Sequence, residues 1–273
     1  MDSASLVALD RDHPGFRDPV YRARRDAIAR LALAHRDGDP PPHIDYTDDE
    51  HGVWSTVWNQ LAPVHDRYAC GAWLDGLRRI SISRERVPQL AEVNEQILPL
   101  TGFRMMPVAG LVTPGTFLRE LGRGVFLATQ YMRHASAPLY TPEPDVVHEL
   151  IGHAVSLASD DFALLNRRFG EVAVTLDDAA MQPLIRAYWY SLEFGVVRDG
   201  GALKVYGAGL LSSFGECGRF ESAADLVPFD LDVMAETPFD PTDYQRTLFV
   251  APSFAAMRGE LLAWLDRRAA RAR

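Results

Sequence analysis

Two histidines close the segment His148-Glu149-Leu150-Ile151-Gly152-His153, and a carboxylate, Glu193, follows in Tyr188-Trp189-Tyr190-Ser191-Leu192-Glu193-Phe194. Two imidazoles and one carboxylate can occupy one face of a divalent metal and leave the opposite face open, which is the ligand set of non-haem Fe(II) oxygenases. The spacing differs from that of a zinc protease, whose H-E-x-x-H places its histidines at i and i+4. Here they stand at i and i+5, roughly 140° apart around an ideal helix. Both reach one metal only if the helix widens locally, and a single π-type turn would widen it. Gly152 makes that distortion easy. The bare motif also admits a helix with two unrelated histidines and a surface glutamate. A zinc hydrolase is the reading from a different enzyme class, and the i,i+5 spacing argues against it.

The surrounding residues enlarge the constellation. Arg133, in Thr129-Gln130-Tyr131-Met132-Arg133-His134, carries a planar fork suited to a carboxylate, either a ligand's or that of Asp145. Lys204-Val205-Tyr206-Gly207-Ala208-Gly209-Leu210-Leu211-Ser212-Ser213 reads as a Gly-rich loop closing into a helix. Its glycines permit close backbone approach, and its serines bring hydroxyls near a helix start. It lacks G-x-x-x-x-G-K-[ST], so it is not read as a phosphate loop. Phe117, Tyr140, Tyr188, Trp189, Tyr190 and Phe194 crowd the proposed ligands. Core packing accounts for many such aromatics, but around metal ligands they favour a site for flat rings.

Positioning these groups falls to a helix-rich chain with little sheet. Helices are expected over residues 21–35, 45–69, 72–80, 87–98, 116–134, 160–169, 184–194 and 254–269. The second has an acidic first turn that suits the helix dipole. Asp145 is placed to N-cap the metal-bearing helix, with His148 three positions on. Residues 103–107 and 110–112 read as extended or loop. Val196 to Gly207 reads as a β-hairpin turning at Asp199-Gly200-Gly201. Residues 1–43 are an N-terminal extension with one helix, and 44–273 a single catalytic domain. The last seven residues, rich in arginine, read as a solvated tail.

With 47% hydrophobic and 24% charged residues in 273, the chain is long and apolar enough for a large globular core. A formal net charge of −9 without a basic stripe favours a small-molecule ligand over nucleic acid. No run of 18 uncharged apolar residues spans a membrane, and the opening residues lack the pattern of a leader peptide, so a cytoplasmic location is expected. Cys70 and Cys217 are expected to be reduced structural thiols.

The runs TQYMRH, YTPEPDVVHELIGH, YWYSLEFG and KVYGAGLLSSFGE, with VPQLAEVNEQILPLTGFRMMPVAG upstream, together resemble the catalytic domain of the pterin-dependent aromatic amino acid hydroxylases. The resemblance extends over about residues 44–254. It is greatest to the short bacterial phenylalanine hydroxylases, since the regulatory domain and tetramerisation helix of the animal enzymes find no counterpart. It implies the fold of that catalytic domain, mainly α with a small β-hairpin. It implies Fe(II) held by His148, His153 and Glu193, a tetrahydropterin such as tetrahydrobiopterin, and O2 as co-substrate. Glu149 would orient the pterin, Phe117 would stack on it, and Tyr188 with Leu111 and Val112 would complete that pocket. Arg133, assisted by Asp145, Thr141 and Ser212, would hold the carboxylate of an aromatic amino acid. Pro144, Trp189 and Gly209 would line the slot for its ring.

The resemblance implies ring hydroxylation, with L-phenylalanine to L-tyrosine as the expected reaction of a monomer or dimer. Tryptophan, tyrosine, or the 3-position of phenylalanine are the alternatives. The chain departs from its relatives at Leu127 and Pro241, two positions expected to line the ring slot, and it lacks the Arg-Asp pair that precedes Phe117 in many of them. Neither Leu127 nor Pro241 offers a partner for a tyrosine hydroxyl.

Overall fold

The computed structural model describes residues 9–271. The eight opening residues on which the leader-peptide argument partly rests, and Ala272 and Arg273 of the charged tail, lie outside them. Side-chain caps set where the first helices begin. Asp18 accepts from the Val20 and Tyr21 amides to open α1 (Pro19–Ala34). Thr47 and Glu50 form a reciprocal capping box on α2 (Asp48–Tyr68), and α3 (Gly71–Arg79) follows. At α4 (Leu90–Thr101), the Glu92 carboxylate accepts from the Gln89 amide, and Gly102 ends the helix in the left-handed region at φ 73°.

The helix expected over 116–134 is shorter. It is α5 (Pro114–Leu121), and Gly124 at φ 72° turns the chain into strand β2 (Val125–Ala128), which pairs in parallel with β1 (Arg104–Pro107). All four β2 side chains are buried, so the run lacks the alternation by which a half-exposed strand is recognised. After β2 the chain runs without regular structure until Val146.

The metal-motif segment His148–Ala154 is a π-helix, followed directly by α6 (Val155–Leu157). Then come α7 (Asp160–Ala173) and α8 (Asp178–Tyr188). A second π segment, Trp189–Glu193, continues α8. The expected hairpin is present as β3 (Val196–Asp199) and β4 (Ala202–Val205), with Gly200 and Gly201 both at positive φ as a two-residue turn requires. The short helices α9 (Ala208–Ser212), α10 (Phe214–Cys217) and α11 (Phe220–Ala223) follow. Strand β5 (Asp225–Pro228), helix α12 (Leu231–Glu236), strand β6 (Thr247–Ala251) and helix α13 (Phe254–Arg271) complete the chain. The hairpin thus belongs to a four-stranded sheet of order β4-β3-β6-β5, in which β6 pairs in parallel with both β3 and β5.

The motif helices pack at the centre. Leu150, Ile151, Leu157, Leu165 and Leu184 are fully buried in one connected core with Trp54, Trp73 and Phe103. The N-terminal region is tied to that core by polar contacts. The Tyr21 hydroxyl donates to the Met132 carbonyl, Arg24 pairs with Glu50, and Arg25 pairs with Glu143. Among the described residues, no helix is long and apolar enough to cross a membrane. Cys70 and Cys217 are buried and unpaired, and burial pushes each thiol up to about 12.

Candidate active site

A π turn closes its backbone ring over five residues, so positions i and i+5 come to lie above one another. That geometry resolves the awkward histidine spacing: the Nε2 atoms of His148 and His153 are 3.0 Å apart. Asp145 caps the segment as expected, its Oδ1 accepting from the His148 amide at 3.3 Å. The second π segment ends on Glu193, whose Oε1 is 3.1 Å from His153 Nε2 and whose Oε2 is 3.7 Å from His148 Nε2. Close packing holds the two segments together. A Cβ on Gly152 would lie 2.7 Å from the Ala208 carbonyl oxygen, and one on Gly207 would lie 2.4 Å from that of Glu193. The glycines of the KVYGAG run therefore let α9 lie directly on both metal-bearing segments.

A second carboxylate adjoins the imidazoles. His148, Glu149 and His153 can bring one ligand atom each to within 4.8 Å of one another. Glu149 differs from Glu193 in its partners: its Oε1 accepts from both the Thr129 amide and the Thr129 hydroxyl, each at 3.0 Å. Burial raises the Glu149 carboxyl to about 7, against the pull of His153 and those two donors. For Glu193, burial also opposes charge, but the facing His153 and His148 prevail and hold it below the ordinary carboxylate range. Burial and the neighbouring His153 lower His148 to about 4. Burial opposes charge on His153 too, yet Glu193 outweighs it and raises that imidazole.

The donor set fits a divalent cation. The Ser212 hydroxyl donates to the Ala208 carbonyl at 2.9 Å and stands 2.9 Å from His148 Nδ1. Because that hydroxyl's proton is engaged, it accepts from Nδ1–H, which leaves the His148 Nε2 lone pair facing His153 and Glu193.

Two cavities meet at this cluster. One, of about 250 Å³, is walled by Val112, Phe117, Leu127, Tyr188, Glu149 and His153. Phe117 meets Phe126 and Tyr188 edge to face, and the Tyr188 hydroxyl is turned away to Asn166. The other, of about 540 Å³, is walled by Arg133, Thr141, Gly209, Ser212, Glu216 and Tyr244. Leu111, Pro144, His148, Trp189, Glu193 and Pro241 line both. Every site residue expected from the sequence lines one or both, with one exception. Asp145 is fully buried behind Arg133, accepting from its Nε at 2.9 Å and its Nη2 at 2.8 Å. Leu127 stands on the Phe117 side, away from the larger cavity in which a departure at the ring slot was expected. Tyr190 is core, its hydroxyl on the Pro238 carbonyl.

Three polar positions escaped the sequence reading: Thr129 on Glu149, Asn166 on Tyr188, and Gln245. The Gln245 side chain accepts from Trp189 Nε1 and donates to the Asp240 and Asp243 carbonyls, all at 2.9 Å. The quoted motifs contain Thr129, but nothing in its spacing indicates its partner.

The fold and site define a helical metalloprotein with an open His, His, carboxylate centre between an aromatic pocket and an arginine-bearing one. The chain belongs to the biopterin-dependent aromatic amino acid hydroxylase family, whose profile it matches over residues 4–270. It is 40% identical over 264 residues to human tyrosine 3-monooxygenase, covering 95% of this chain and 50% of that protein. It is 41% identical over 251 residues to Bos taurus phenylalanine-4-hydroxylase, covering 90% and 56%. The chain thus spans about half the length of the curated relatives it matches. Among solved structures, phenylalanine hydroxylase from Chromobacterium violaceum with iron(III) and 7,8-dihydrobiopterin superimposes with a TM-score of 0.77 at 29% identity, covering 89% of this chain and 92% of that one. The apo enzyme from Colwellia psychrerythraea gives 0.78 at 26% identity, covering 87% and 93%.

Proposed function

We propose that this protein is an Fe(II)- and tetrahydropterin-dependent monooxygenase that hydroxylates the ring of an aromatic amino acid, converting L-phenylalanine to L-tyrosine. The observation that carries the proposal is the meeting of two differently furnished cavities at the His148–His153–Glu193 cluster. Glu193 supplies the third ligand, because both its oxygens face the imidazole Nε2 atoms while Thr129 engages Glu149. Bound iron and reduced pterin supply the activation of O2.

The chain's own residues bind, orient and exclude water. Phe117 offers its ring to the pterin, with Tyr188, Leu111 and Val112 closing the pocket and Glu149 aligning the pterin through hydrogen bonds. Arg133 is held rigid by Asp145 and keeps Nη1, whose contact to the Pro138 carbonyl is 3.4 Å, for the substrate carboxylate, with Thr141 beside it. Ser212 acts through His148. Pro144, Trp189 and Gly209 confine the substrate ring, and Trp189 narrows the slot against an indole. Pro241 offers no hydrogen bond to a phenolic hydroxyl, which disfavours tyrosine by roughly 1–3 kcal/mol. An apolar slot fixes ring size less firmly than it rejects polar groups, so the 3-position of phenylalanine and tryptophan are the competing outcomes. Residues 44–273 form the catalytic unit, and the protein works in the cytoplasm as a monomer or dimer.

The deciding experiment supplies Fe(II), O2 and a tetrahydropterin with phenylalanine, tyrosine or tryptophan and resolves the hydroxylated isomers. 4-Hydroxylation of phenylalanine with the highest kcat/KM is expected. A higher kcat/KM for another amino acid overturns the substrate, a 3-hydroxylated product overturns the position, and no turnover on any of the three overturns the activity.

A further inference from the structure

One carboxylate on the wall of the larger cavity has no ion-pair partner among the described residues. Arg133 is matched by Asp145 through two charge-assisted bonds. Glu143 is matched by Arg25 and stands 3.4 Å from His13 Nε2. Glu193 faces the two imidazoles. Asp243 is exposed, with Arg246 at 3.6 Å. Glu216 differs from the rest. Its Oε1 accepts from the Gln245 amide at 2.9 Å, and among the described residues no cationic nitrogen lies within ion-pair distance of it. The nearby Arg219 acts on it only at a distance, donating from Nε to the Gly215 carbonyl with its guanidinium over the Tyr244 ring. Burial raises the Glu216 carboxyl, a state that an arriving cation would relieve.

A zwitterionic amino acid brings two charges into this space. Its carboxylate has the Nη1 edge of Arg133, and its ammonium is stabilised by a carboxylate facing the same cavity. Glu216 lies on the wall that also carries Ser212 and Ser213, one helix along from the residue that sets His148. We propose that Glu216 is the ammonium subsite of the substrate cavity, so that the protein selects α-amino acids over simple aromatic acids. This rests on the amino acid reading of the larger cavity given above. The Gln245 amide and the Ser213 hydroxyl hold the carboxylate in place, and its remaining lone pairs receive the ammonium protons. Specificity then comes from two opposite charges lining one cavity, with the ring left to an apolar slot.

The test compares L-phenylalanine with 3-phenylpropanoate, which lacks only the ammonium. Binding is measured by calorimetry on iron-loaded protein without oxygen. Wild-type protein should bind phenylalanine at least tenfold more tightly. Glu216→Gln keeps an acceptor for the Gln245 amide while removing the charge. It should weaken phenylalanine at least tenfold and leave 3-phenylpropanoate within twofold. Equal weakening of both ligands would mean that Glu216 is a loop anchor, and no weakening of phenylalanine would place the ammonium elsewhere. Should the variant fail to fold, equal wild-type affinities for the two ligands overturn the proposal. Wild-type protein that binds neither ligand overturns the amino acid reading itself, an outcome distinct from those.

Discussion

Glu149 and Glu193 have the same side chain, beside the same two imidazoles, and their surroundings give them different tasks. Glu193 is turned to the Nε2 atoms by the π segment that ends on it, whereas Glu149 spends one oxygen on both Thr129 donors. Glu193→Ala should therefore purify with little iron, while Glu149→Ala retains iron and loses coupling of pterin oxidation to hydroxylation. Metal analysis of the two variants separates these outcomes, and iron loss from both would make Glu149 a ligand. Ser212→Ala should lower Fe(II) affinity about 10–100-fold, the usual effect of losing a group that orients a ligating imidazole. Chelator competition measures it. The residues that meet at the cluster were legible in the sequence because they sit in one short motif and one conspicuous carboxylate. The groups that orient them were not, since Ser212 lies 64 positions from His148 and only folding brings them together.

At the scale of elements, the site depends on backbone irregularities that a regular helix cannot supply. The i,i+5 histidine spacing demanded a widened turn, and both metal-bearing segments are π-helical. The hairpin was equally legible, because Gly200 and Gly201 supply the two positive φ values its turn needs. The helix expected through residue 134 failed because β2 buries every side chain, and its pairing with β1, a segment that reads as extended, exists only in the fold. Pairing of β6 with β3 and β5 was hidden for the same reason. Gln245 bears on a further element. It joins Trp189, which stacks on Phe239 at 4.2 Å, to the carbonyls of a loop that brings Pro241 to both cavities. Gln245→Leu removes all three side-chain bonds and frees that wall. The ratio of kcat/KM for phenylalanine over tryptophan should fall about tenfold while iron content stays constant. An unchanged ratio would mean that stacking alone fixes Trp189.

Across the whole molecule, helix α1 is bound to the segment that leads into the metal-motif helix through a buried ion pair. Arg25 is 1% exposed, its guanidinium lies 3.7 Å from the Tyr131 ring centroid, and its Nε and Nη2 have no hydrogen-bond partner. Its charge is balanced by Glu143, in the segment leading to Pro144 and Asp145. Breaking such a pair from one side leaves a buried charge uncompensated, at a cost of about 3–5 kcal/mol. Glu143→Gln should lose about that much in urea denaturation, and Arg25→Met with Glu143→Leu should recover most of it. Recovery by the double variant would show that the pair fixes the arrangement of the N-terminal helix more than it stabilises the fold.

Acid should weaken the molecule at His65, which lies outside the proposed ligand set. His65 is buried between Trp58 and Trp73 and donates from Nε2 to the Leu211 carbonyl at 2.6 Å. Burial lowers its imidazole to about 4 in the folded chain, from the ordinary 6.5, although the Leu211 carbonyl pulls the other way. In the unfolded chain the ring binds a proton as pH falls through 6.5, and in the folded chain it resists until about 4. The stabilisation from a neutral His65 is therefore complete above pH 6.5 and is lost progressively between there and 4. By pH 5 the loss comes to about 2 kcal/mol. Urea denaturation at pH 7.5 and pH 5, with metal removed by chelation so that iron binding does not contribute, should show wild-type protein losing about that much more than His65→Gln. The variant replaces the titrating ring with an amide that can still donate to Leu211, so a matching loss in both proteins would assign the acid sensitivity to other groups. The Leu211 carbonyl also ties this effect to the site, because it belongs to α9, the helix that carries Ser212 against His148. Protonation of His65 should thus loosen α9 first, and amide exchange of Ser212 rising before global unfolding as pH falls would reveal it.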